Sequence, residues 1–430
     1  MLRHRVLLQH GSRSAGQRSL TAVGLAGISY RNEVSDAIEL TPGEPRLLKI
    51  SLLLAIAAIY GLNLLDVLVV PADTISPYQP RSRTPVAEST QALFHEQFVN
   101  RAEVVPRVHA PTAIINANGE LHSYWYGGAS EGAEDVAIYG ARFDPQANAW
   151  TDQHKLVSPV SASVQTGYWV RKIGNPVAFA HPDGRIWLFY VNVTIGGWAL
   201  SAINLATSSD GGRTFSGHKR LVTSPFFNRS TLVKTPAIEF ADGSIGLPVH
   251  HQMLAKHGEL LKLNSQGDVV DKRRIPSQSS ALQPALVSLP DGTLLAFMRS
   301  DAGKLLRSSS ANQGATWSQA VSIDVPNPDS AVAVVSTSTG LLMAFNNDPK
   351  NRDVLNLAHS IDRGNSWQEF YVLEYLPNLH EHDHSNEFSY PWFVKDPNGF
   401  YHLFYTWQRT NIKHIRFNET WLEEQLRGDV

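Results

Sequence analysis

The side chains best suited to chemistry in this sequence are two arginines, one tyrosine and a group of carboxylates. Arg299 and Arg352 could each hold a carboxylate through two parallel, charge-assisted hydrogen bonds, because the guanidinium group is planar and forked. The glycine-rich loop 126–136 carries three carboxylates, and Tyr390 lies far along the chain. These residue types favour an anion-binding site with acid–base groups nearby.

These residues need a scaffold, and a repeat of short turns predicts one. Six times an apolar stretch runs into a tight turn and out into a second apolar stretch, which is the sequence signal of a β-hairpin. The turns lie 48 to 65 residues apart, a spacing typical of propeller blades rather than of a helical solenoid. They are Asn118-Gly119, Asp183-Gly184, Asp242-Gly243, Asp291-Gly292, Thr339-Gly340 and Asn398-Gly399. Six blades around an axis bury their faces against one another, so the sequence predicts an all-β, six-bladed propeller.

A second repeat follows three of these hairpins. Residues 208–215, 310–317 and 360–367 share the pattern Ser-x-Asp/Asn-x-Gly-x-Thr/Ser-aromatic. The pattern predicts a turn in which the Asp or Asn side chain accepts hydrogen bonds from nearby backbone N–H groups, while Gly takes a positive φ. The aromatic residue is expected to pack between blades. We therefore predict a structural role for these boxes rather than a catalytic one.

Through these hairpins and boxes, the sequence from about His109 to the C-terminus resembles the sialidase family. It resembles most closely the bacterial sialidase-like proteins with BNR repeats, whose Asp-boxes have this pattern on a six-bladed propeller. The resemblance implies the sialidase fold. It also implies an exo-glycosidase that removes terminal sialic acid or a related acidic sugar from glycoconjugates, although a fold alone does not fix the substrate.

The resemblance assigns roles to particular residues. Tyr390 occupies the position of the family's nucleophilic tyrosine, and a neutral nucleophile avoids repulsion by a carboxylated sugar. Arg299 falls at the second arginine of the family's carboxylate-binding triad, and Arg352 falls near the third. Two positions depart from the family. His109 stands where the first arginine is expected, and Gln283 stands where the family has the glutamate that activates the tyrosine.

These departures change the expected chemistry. Gln283 cannot accept a proton, so either another base serves or the mechanism differs. Glu387 and His384, in the polar run before Tyr390, are the candidate bases. Histidines in that run could also bind a metal, but a solvated polar loop explains them as well, and we predict no metal site. His109 could contact a carboxylate only in a suitable tautomer or when protonated, so activity is expected to be favoured at mildly acidic pH.

A general acid is expected on the glycine-rich loop after the first hairpin, where the family carries its acid aspartate. Asp135 matches that residue type, and Glu131 is the alternate. Glu134 matches the spacing best but could face away from the channel. A solvated turn would explain a glycine-rich acidic loop equally well.

Further binding residues are expected where the innermost strand of each blade begins. Counting eight residues back from each turn gives Ala110, Asn175, Lys234, Gln283, Ala331 and Tyr390. Most of these positions are polar, which a purely structural strand start would not require, so Asn175 and Lys234 are candidates for substrate binding. His250 and His251 could also contact an anionic ligand. The aromatic residues that could stack on a sugar ring are Trp125, Trp169 and Trp198.

Composition agrees with an enzyme of this kind. With 43% hydrophobic residues, 10 Trp, 13 Tyr and 17 Phe, a chain of 430 residues can bury a large core. The formal net charge is −2 and the 37 basic residues are spread along the chain, so no nucleic-acid partner is expected. The absence of Cys fits an exported protein that uses no disulfides. No cofactor is expected.

The N-terminal segments are predicted to lie outside the propeller. Residues 1–46 are expected to form a disordered leader, and residues 47–70 contain the uncharged stretch 50–65. With basic residues before it and acidic residues after it, this stretch predicts a signal peptide or a single-pass membrane anchor. The propeller would then lie outside the cytoplasm, in the periplasm or at the cell surface. Residues 71–101, with four prolines, are predicted to form a linker, and residues 102–430 the propeller.

The sequence therefore predicts a propeller whose partner is a glycan or glycoconjugate substrate. Two alternatives stay open at this point. A hydrolase of another sugar on the same fold would account for His109 and Gln283. A carbohydrate-binding propeller without catalysis would account for them too, through loss of the base.

Overall fold

The computed structural model describes residues 49–58, 91–224, 228–253, 255–376 and 387–428. The chain divides into two units, Met1–Thr74 and Ile75–Val430. In the first unit the described residues form helix α1, over 49–58. Nowhere in the described ranges is a helix long and apolar enough to cross a membrane. The predicted leader 1–46 and most of the hydrophobic segment 47–70 lie outside the described residues, so what the sequence indicates about them stays a prediction.

The second unit is a six-bladed β-propeller, as the sequence predicts, and each blade is an antiparallel sheet of four or five strands. The first blade contains β2 (Arg107–Ile115), β3 (Leu121–Gly128), β4 (Ala137–Asp144), β5 (Ala149–Trp150) and β6 (His154–Val157). The second contains β7 (Lys172–Ala180), β8 (Ile186–Val193), β9 (Ser201–Ser208) and β10 (Ser216–Arg220). The third contains β11 (Thr231–Val233), β12 (Ile238–Glu239), β13 (Ile245–His251), β14 (His257–Leu263) and β15 (Val269–Arg274).

The remaining three blades continue in chain order. The fourth contains β16 (Leu282–Ser288), β17 (Leu294–Arg299), β18 (Lys304–Ser310) and β19 (Val321–Pro326). The fifth contains β20 (Ala333–Ser336), β21 (Leu341–Phe345), β22 (Val354–Ser360) and β23 (Gln368–Tyr375). The sixth contains β24 (Phe388–Lys395), β25 (Tyr401–Trp407), β26 (Asn411–Phe417) and β1 (Phe94–Phe98). The helical elements of this unit are α2 (Pro159–Thr166), a 3₁₀ turn (Trp198–Leu200) and α3 (Glu419–Arg427).

The sixth blade joins the first strand of the propeller to the last. Strand β1 pairs antiparallel with β26, from Phe94 opposite Phe417 to Phe98 opposite Lys413. Residues 94–98 fall within the predicted linker 71–101. The propeller therefore begins before residue 102, its predicted first residue. The sequence of β1 gives little sign of a strand. β1 is the outermost strand of its blade and much of it is exposed, so it needs no regular alternation of apolar and polar residues.

The three boxes are turns closed by their own side chains. In residues 360–367, the Ser360 hydroxyl accepts from the backbone N–H of Gly364 at 2.9 Å, and the Asp362 carboxylate accepts from the backbone N–H of Ser366 at 2.9 Å. Gly364 has φ +75°, and a Cβ there would lie 2.4 Å from the ring of Phe297 in the preceding blade. Trp367 packs edge-on against the same ring at 5.5 Å between centroids. The boxes therefore fasten neighbouring blades together.

Four innermost strands carry a bulge at the positions that the turn count selects. Ala110, Asn175, Gln283 and Tyr390 have φ values of 51°, 43°, 51° and 56°, and a proline follows each. The strand registers shift at the same places. A left-handed conformation costs a non-glycine residue about 1 to 3 kcal/mol, and such strain clusters at functional sites. These bulges turn side chains toward the end of the propeller where the innermost strands begin, which we call the site face.

Candidate active site

Arg299 brings two of the predicted site residues together at the site face. Its Nη1 donates hydrogen bonds to Oε1 of Gln283 at 3.1 Å and to the hydroxyl oxygen of Tyr390 at 3.4 Å. Its Nε lies 2.8 Å from the carboxylate of Asp329 in an ion pair. A cationic donor beside the phenol oxygen stabilises that oxygen when it carries negative charge.

Glu387 is the carboxylate at the centre of a second cluster. Its Oε2 accepts from Nη1 of Arg352 at 3.2 Å, and its Oε1 lies 3.1 Å from Nη2 of Arg409. The hydroxyl of Ser389 also donates to Oε1 at 2.7 Å. Only 5% of Glu387 is exposed, so both of its oxygens are held in a nearly dry environment by two arginines and a hydroxyl. Glu387 thus positions the arginines, which is a different role from the base that the sequence suggested.

Arg409 is the site residue that the sequence analysis missed. It lies in the hairpin between β25 and β26 with φ +54°, and its carbonyl accepts from the backbone N–H of Val108 at 2.8 Å. This places its guanidinium between Glu387 and Glu131. The sequence could have indicated Arg409 only through its position, because the hairpin between the second and third strands of a blade lies at the site face. Arg299, Arg352 and Arg409, which we call the arginine cluster, come from three neighbouring blades.

His109 lies against the candidate nucleophile but remains uncharged. Its ring packs on Tyr390 with 4.4 Å between centroids, and its Nε2 lies 3.7 Å from Glu387. Burial, and then the charges of Arg409, Arg352 and other nearby cations, lower the pKa of His109 well below its ordinary value. The expectation that protonated His109 binds a carboxylate at mildly acidic pH therefore does not hold, because the surrounding cations oppose its protonation.

The three carboxylates of the loop 126–136 have different environments. Glu131 makes an ion pair with Nη1 of Arg409 at 2.6 Å and faces the site. Asp135 is exposed, and its carboxylate accepts from the backbone N–H of Ala129 at 2.9 Å, which closes the loop on itself. Glu134 is exposed. Of the three candidate acids, the geometry thus connects Glu131 to the cluster and gives Asp135 a structural contact.

A cavity of about 390 Å³ opens beside this cluster. His109, Tyr126, Glu131 and Arg409 are among its lining residues. Tyr126 is buried, and burial together with the charge of Glu131 raises its pKa well above the ordinary value. Tyr126 therefore stays a neutral phenol and can offer a ligand a hydrogen bond. Nothing in the sequence pattern distinguished it from a packed aromatic.

Lys234 is the one buried lysine at the site face among the described residues, with 1% of its surface exposed. Its Nζ lies 5.4 Å from the ring centroid of Tyr390 and 5.1 Å from that of Trp392. Burial lowers the pKa of Lys234 to about 7. The neighbouring Thr235 donates to the carbonyl of Pro284 at 2.6 Å, which fixes this segment beside the bulge that carries Gln283.

The other residues that were predicted to contact a ligand differ in how deeply they are buried. Asn175 is half-buried at its bulge, and His250 is buried, with a pKa lowered to about 3 by burial and then by the charge of Arg299. His251 stacks on His257 with ring centroids 5.2 Å apart, away from the cluster described above. Among the tryptophans, Trp125 is fully buried, Trp198 packs under the ammonium of Lys172, and Trp169 is 62% exposed. Only Trp169 of these three presents a free face for a sugar.

Two further predictions concern a metal site and the second candidate base, His384. The described part of the chain contains no group of three metal-binding side chains that could hold an ion. His384 and the rest of the His-rich run from 377 to 386 lie outside the described residues, so a base there stays a prediction.

The fold and this site define a class: a six-bladed β-propeller with a tyrosine, an arginine cluster and carboxylates at the site face. The family model described as BNR repeat-like domain matches residues 119–403, and the chain belongs to that family. No curated protein matches the sequence.

Solved structures with the same fold include sialidases. The Hadza microbial sialidase Hz136 has a TM-score of 0.59 at 17% identity, with 74% of this chain and 67% of that chain covered. The intramolecular trans-sialidase from Ruminococcus gnavus has a TM-score of 0.57 at 13% identity, with 76% of this chain and 97% of that chain covered. A protein of unknown function from Dyadobacter fermentans has a TM-score of 0.59 at 13% identity, with coverages of 75% and 97%.

Proposed function

We propose that this protein is an exo-glycosidase that hydrolyses a terminal sialic acid or a related acidic sugar from a glycoconjugate, with Tyr390 as its nucleophile. The observation that supports this most is the contact between the hydroxyl of Tyr390 and the guanidinium of Arg299, at 3.4 Å. The bulge at φ +56° turns Tyr390 out of its strand toward the arginines. A tyrosine presented in this way, beside a cation, suits attack on an anomeric carbon that bears a carboxylate.

The arginine cluster would bind the carboxylate of the sugar. Arg352 and Arg409 both contact Glu387, and their other terminal nitrogens contact the carbonyl of Asp329 and the carboxylate of Glu131. A planar substrate carboxylate would bind them by replacing part of these contacts. Arg409 then takes the place in the clamp that was predicted for His109, where the family has its first arginine. The mild-acid preference expected from His109 is accordingly no part of this proposal.

Glu131 would act as the general acid toward the leaving group. It lines the cavity next to His109 and Tyr126, and in the free protein its carboxylate is paired with Arg409. A substrate carboxylate that binds Arg409 would weaken this pair, which favours a protonated Glu131 at the moment when an acid is needed. Asp135, which closes its own loop, fits the role less well.

The structural neighbours support the substrate class. The Ruminococcus gnavus trans-sialidase was solved in complex with oseltamivir carboxylate, and that protein and the Hadza enzyme are named as acting on sialic acid. At 13% and 17% identity these likenesses show the fold alone. The substrate is therefore proposed from the tyrosine and arginines of this chain together with the fold.

The full-length protein should be incubated with a 2,3-difluoro-sialic acid probe and with a panel of other fluorinated glycosides, and the labelled residue read by mass spectrometry. We expect a covalent label on Tyr390 from the sialic acid probe, because fluorine slows the second step more than the first and traps the glycosyl enzyme. Label from a different glycoside alone would redirect the proposal to another sugar. A label on another residue would refute the role of Tyr390.

A carbohydrate-binding propeller without catalysis is the second candidate function. Gln283 favours it, because an amide cannot take the proton of Tyr390 as a carboxylate would. That function predicts no label from any probe, together with binding of sialic acid that is lost when Arg352 is replaced by Ala. Calorimetry on the same samples distinguishes it from an inactive preparation.

We also propose that the protein acts outside the cytoplasm, in the periplasm or at the cell surface. The support is the uncharged stretch 50–65 with basic residues before it and acidic residues after it. Cell fractionation with N-terminal sequencing of the mature chain tests this proposal. Recovery of full-length protein in the cytoplasm alone would contradict it.

A further inference from the structure

Tyr390 needs a group that takes its proton, and the described side chains that contact it do not qualify. Arg299 only donates, and Gln283 is an amide held by that same arginine. Glu387 has both oxygens occupied by arginines and Ser389. His109 touches the tyrosine ring, but it lies among cations that make it a poor proton acceptor.

Lys234 is a buried amine in contact with the ring of Tyr390. Its Nζ lies over the ring of Tyr390, 5.4 Å from the centroid, and side-chain burial is nearly complete. Within the described part of the chain no carboxylate forms an ion pair with it, and burial is the one cause found for its lowered pKa, about 7. Around Lys234 lie the rings of Tyr390 and Trp392, which contact the ammonium, and His109 from β2, so among the described residues aromatic rings and no carboxylate stabilise the ammonium form.

A lysine in this setting is a base rather than a fixed cation. An ammonium that loses its proton near neutral pH is half neutral under physiological conditions, and a neutral amine accepts a proton readily. Lys234 also stands eight residues before its turn, the same register that places Gln283 and Tyr390. The base has thus moved to a neighbouring blade of the same ring.

We propose that Lys234, as a neutral amine, accepts the phenol proton of Tyr390, directly or through one water molecule, and so replaces the carboxylate that Gln283 lacks. This inference rests on the proposed function and assigns the missing proton transfer within it.

The proposed cycle balances. As the oxygen of Tyr390 bonds to the anomeric carbon, the bond from that carbon to the leaving oxygen breaks. The phenol proton passes to Lys234, and the leaving oxygen takes a proton from Glu131. In the second step water attacks the anomeric carbon and gives a proton to the carboxylate of Glu131. The released oxygen of Tyr390 then takes its proton back from the ammonium of Lys234, which restores both groups.

The test is the rate at which the difluoro-sialic acid probe labels Tyr390 in the full-length protein, measured as a function of pH. In the wild type we expect this rate to fall about tenfold for each pH unit below about 7, because only the neutral amine accepts the proton. A rate that stays flat from about pH 6 to 8 would overturn the inference. This measurement requires no variant, so it does not depend on how a substitution at a buried position folds.

Two variants separate a proton acceptor from a simple cationic contact. Lys234→Arg keeps the positive charge but cannot lose its proton, and Lys234→Met removes both properties. We expect both to label Tyr390 about 10² to 10⁴ times more slowly than the wild type, while Lys234→Arg still binds sialic acid. Labelling of a folded Lys234→Arg protein within about threefold of the wild type would overturn the inference. The absence of label in the wild type at every pH would instead refute the proposed function, and this inference with it.

Discussion

The two ends of the propeller satisfy their polar groups in different ways. Within the three boxes at one end, hydrogen-bond partners lie within four residues of one another, as where Gly314 donates to Ser310. At the site face the partners are distant in the chain. Arg299 and Tyr390 are 91 residues apart, and Arg409 and Glu131 are 278 residues apart. The box end therefore forms from local sequence and holds neighbouring blades together, whereas the site face exists only once the whole ring has closed.

This comparison predicts that the two ends can be damaged independently. Substitutions at the box end should lower stability and leave the activity of the folded protein intact. Substitutions at the site face should change activity strongly and stability in either direction, because residues kept for chemistry need not suit the fold.

The largest expected effect is at Tyr390. Tyr390→Phe removes the nucleophilic oxygen and only a weak hydrogen bond from Arg299, so turnover should fall by about 10⁴-fold while the melting temperature hardly changes. Glycoside hydrolysis and thermal unfolding of the same sample test this. Tyr375→Phe, on an exposed edge strand, is the matched control and should leave both properties unchanged. A large loss of stability in Tyr390→Phe would mean that the tyrosine belongs to the scaffold.

Lys234→Met should make the protein more stable while it slows the reaction. The pKa of Lys234 is about 7 in the folded protein, below its ordinary value, so protonation opposes folding. Below pH 7 the penalty is fully present, and it disappears as pH rises toward the unfolded pKa near 10.5. The gain in unfolding free energy should be at most about 5 kcal/mol near pH 6 and should shrink as pH rises.

Denaturant unfolding at several pH values measures this gain. Lys304→Met, which removes an exposed lysine, serves as the control and should show no such pH dependence. A Lys234→Met variant that is less stable than the wild type near pH 6 would contradict a functional reason for the buried lysine.

The box end is probed at Gly364. Gly364→Ala adds a Cβ at φ +75° and within 2.4 Å of the ring of Phe297, so it should lower the unfolding free energy by about 3 kcal/mol. Gly119→Ala has a similar φ of +80° but open space around the Cβ, so it should cost only about 1 kcal/mol. Thermal unfolding compares the two. Per folded molecule, turnover should remain normal in both, and a selective loss in Gly364→Ala would show that the ends are coupled.

A smaller loss of stability than in Gly364→Ala is expected at Glu387. Glu387→Gln removes the carboxylate that pairs with Arg352 and Arg409 and leaves Glu131 as a counter-charge to Arg409 alone, but it keeps a polar group of the same shape. We expect a loss of about 2 kcal/mol in unfolding free energy. Sialic acid should also bind more tightly, since the arginines no longer contact a protein carboxylate. Calorimetry measures both, and Glu134→Gln, on an exposed part of the loop, is the control.

The sequence could predict the box end better than the site face. The turns and boxes are encoded within a few residues, so their positions and structural role could be predicted, and with them the six blades. Counting back from the turns also located the bulges at Ala110, Asn175, Gln283 and Tyr390. Arg409 escaped because its hairpin contains neither Gly nor Asn at its positive φ values, so no turn signal marked it.

The properties of the site residues needed the structure as well. The charge state of His109 depends on burial and on cations from several blades, and that of Lys234 depends on burial, which no local pattern contains. Likewise, the sequence could rank Asp135 above Glu131 only by residue type, whereas the contact with Arg409 distinguishes them.

Because β1 pairs with β26, the sixth blade can be completed only at the end of synthesis. The sixth blade carries Tyr390 and Arg409, yet its outer strand is the first strand of the propeller to leave the ribosome, and its other three strands are the last. During synthesis β1 stays without its partner β26 until the other five blades have been made. Tyr390 and Arg409 therefore take their places in a complete sixth blade only when both ends of the propeller are present, so the proposed site forms only in the closed ring.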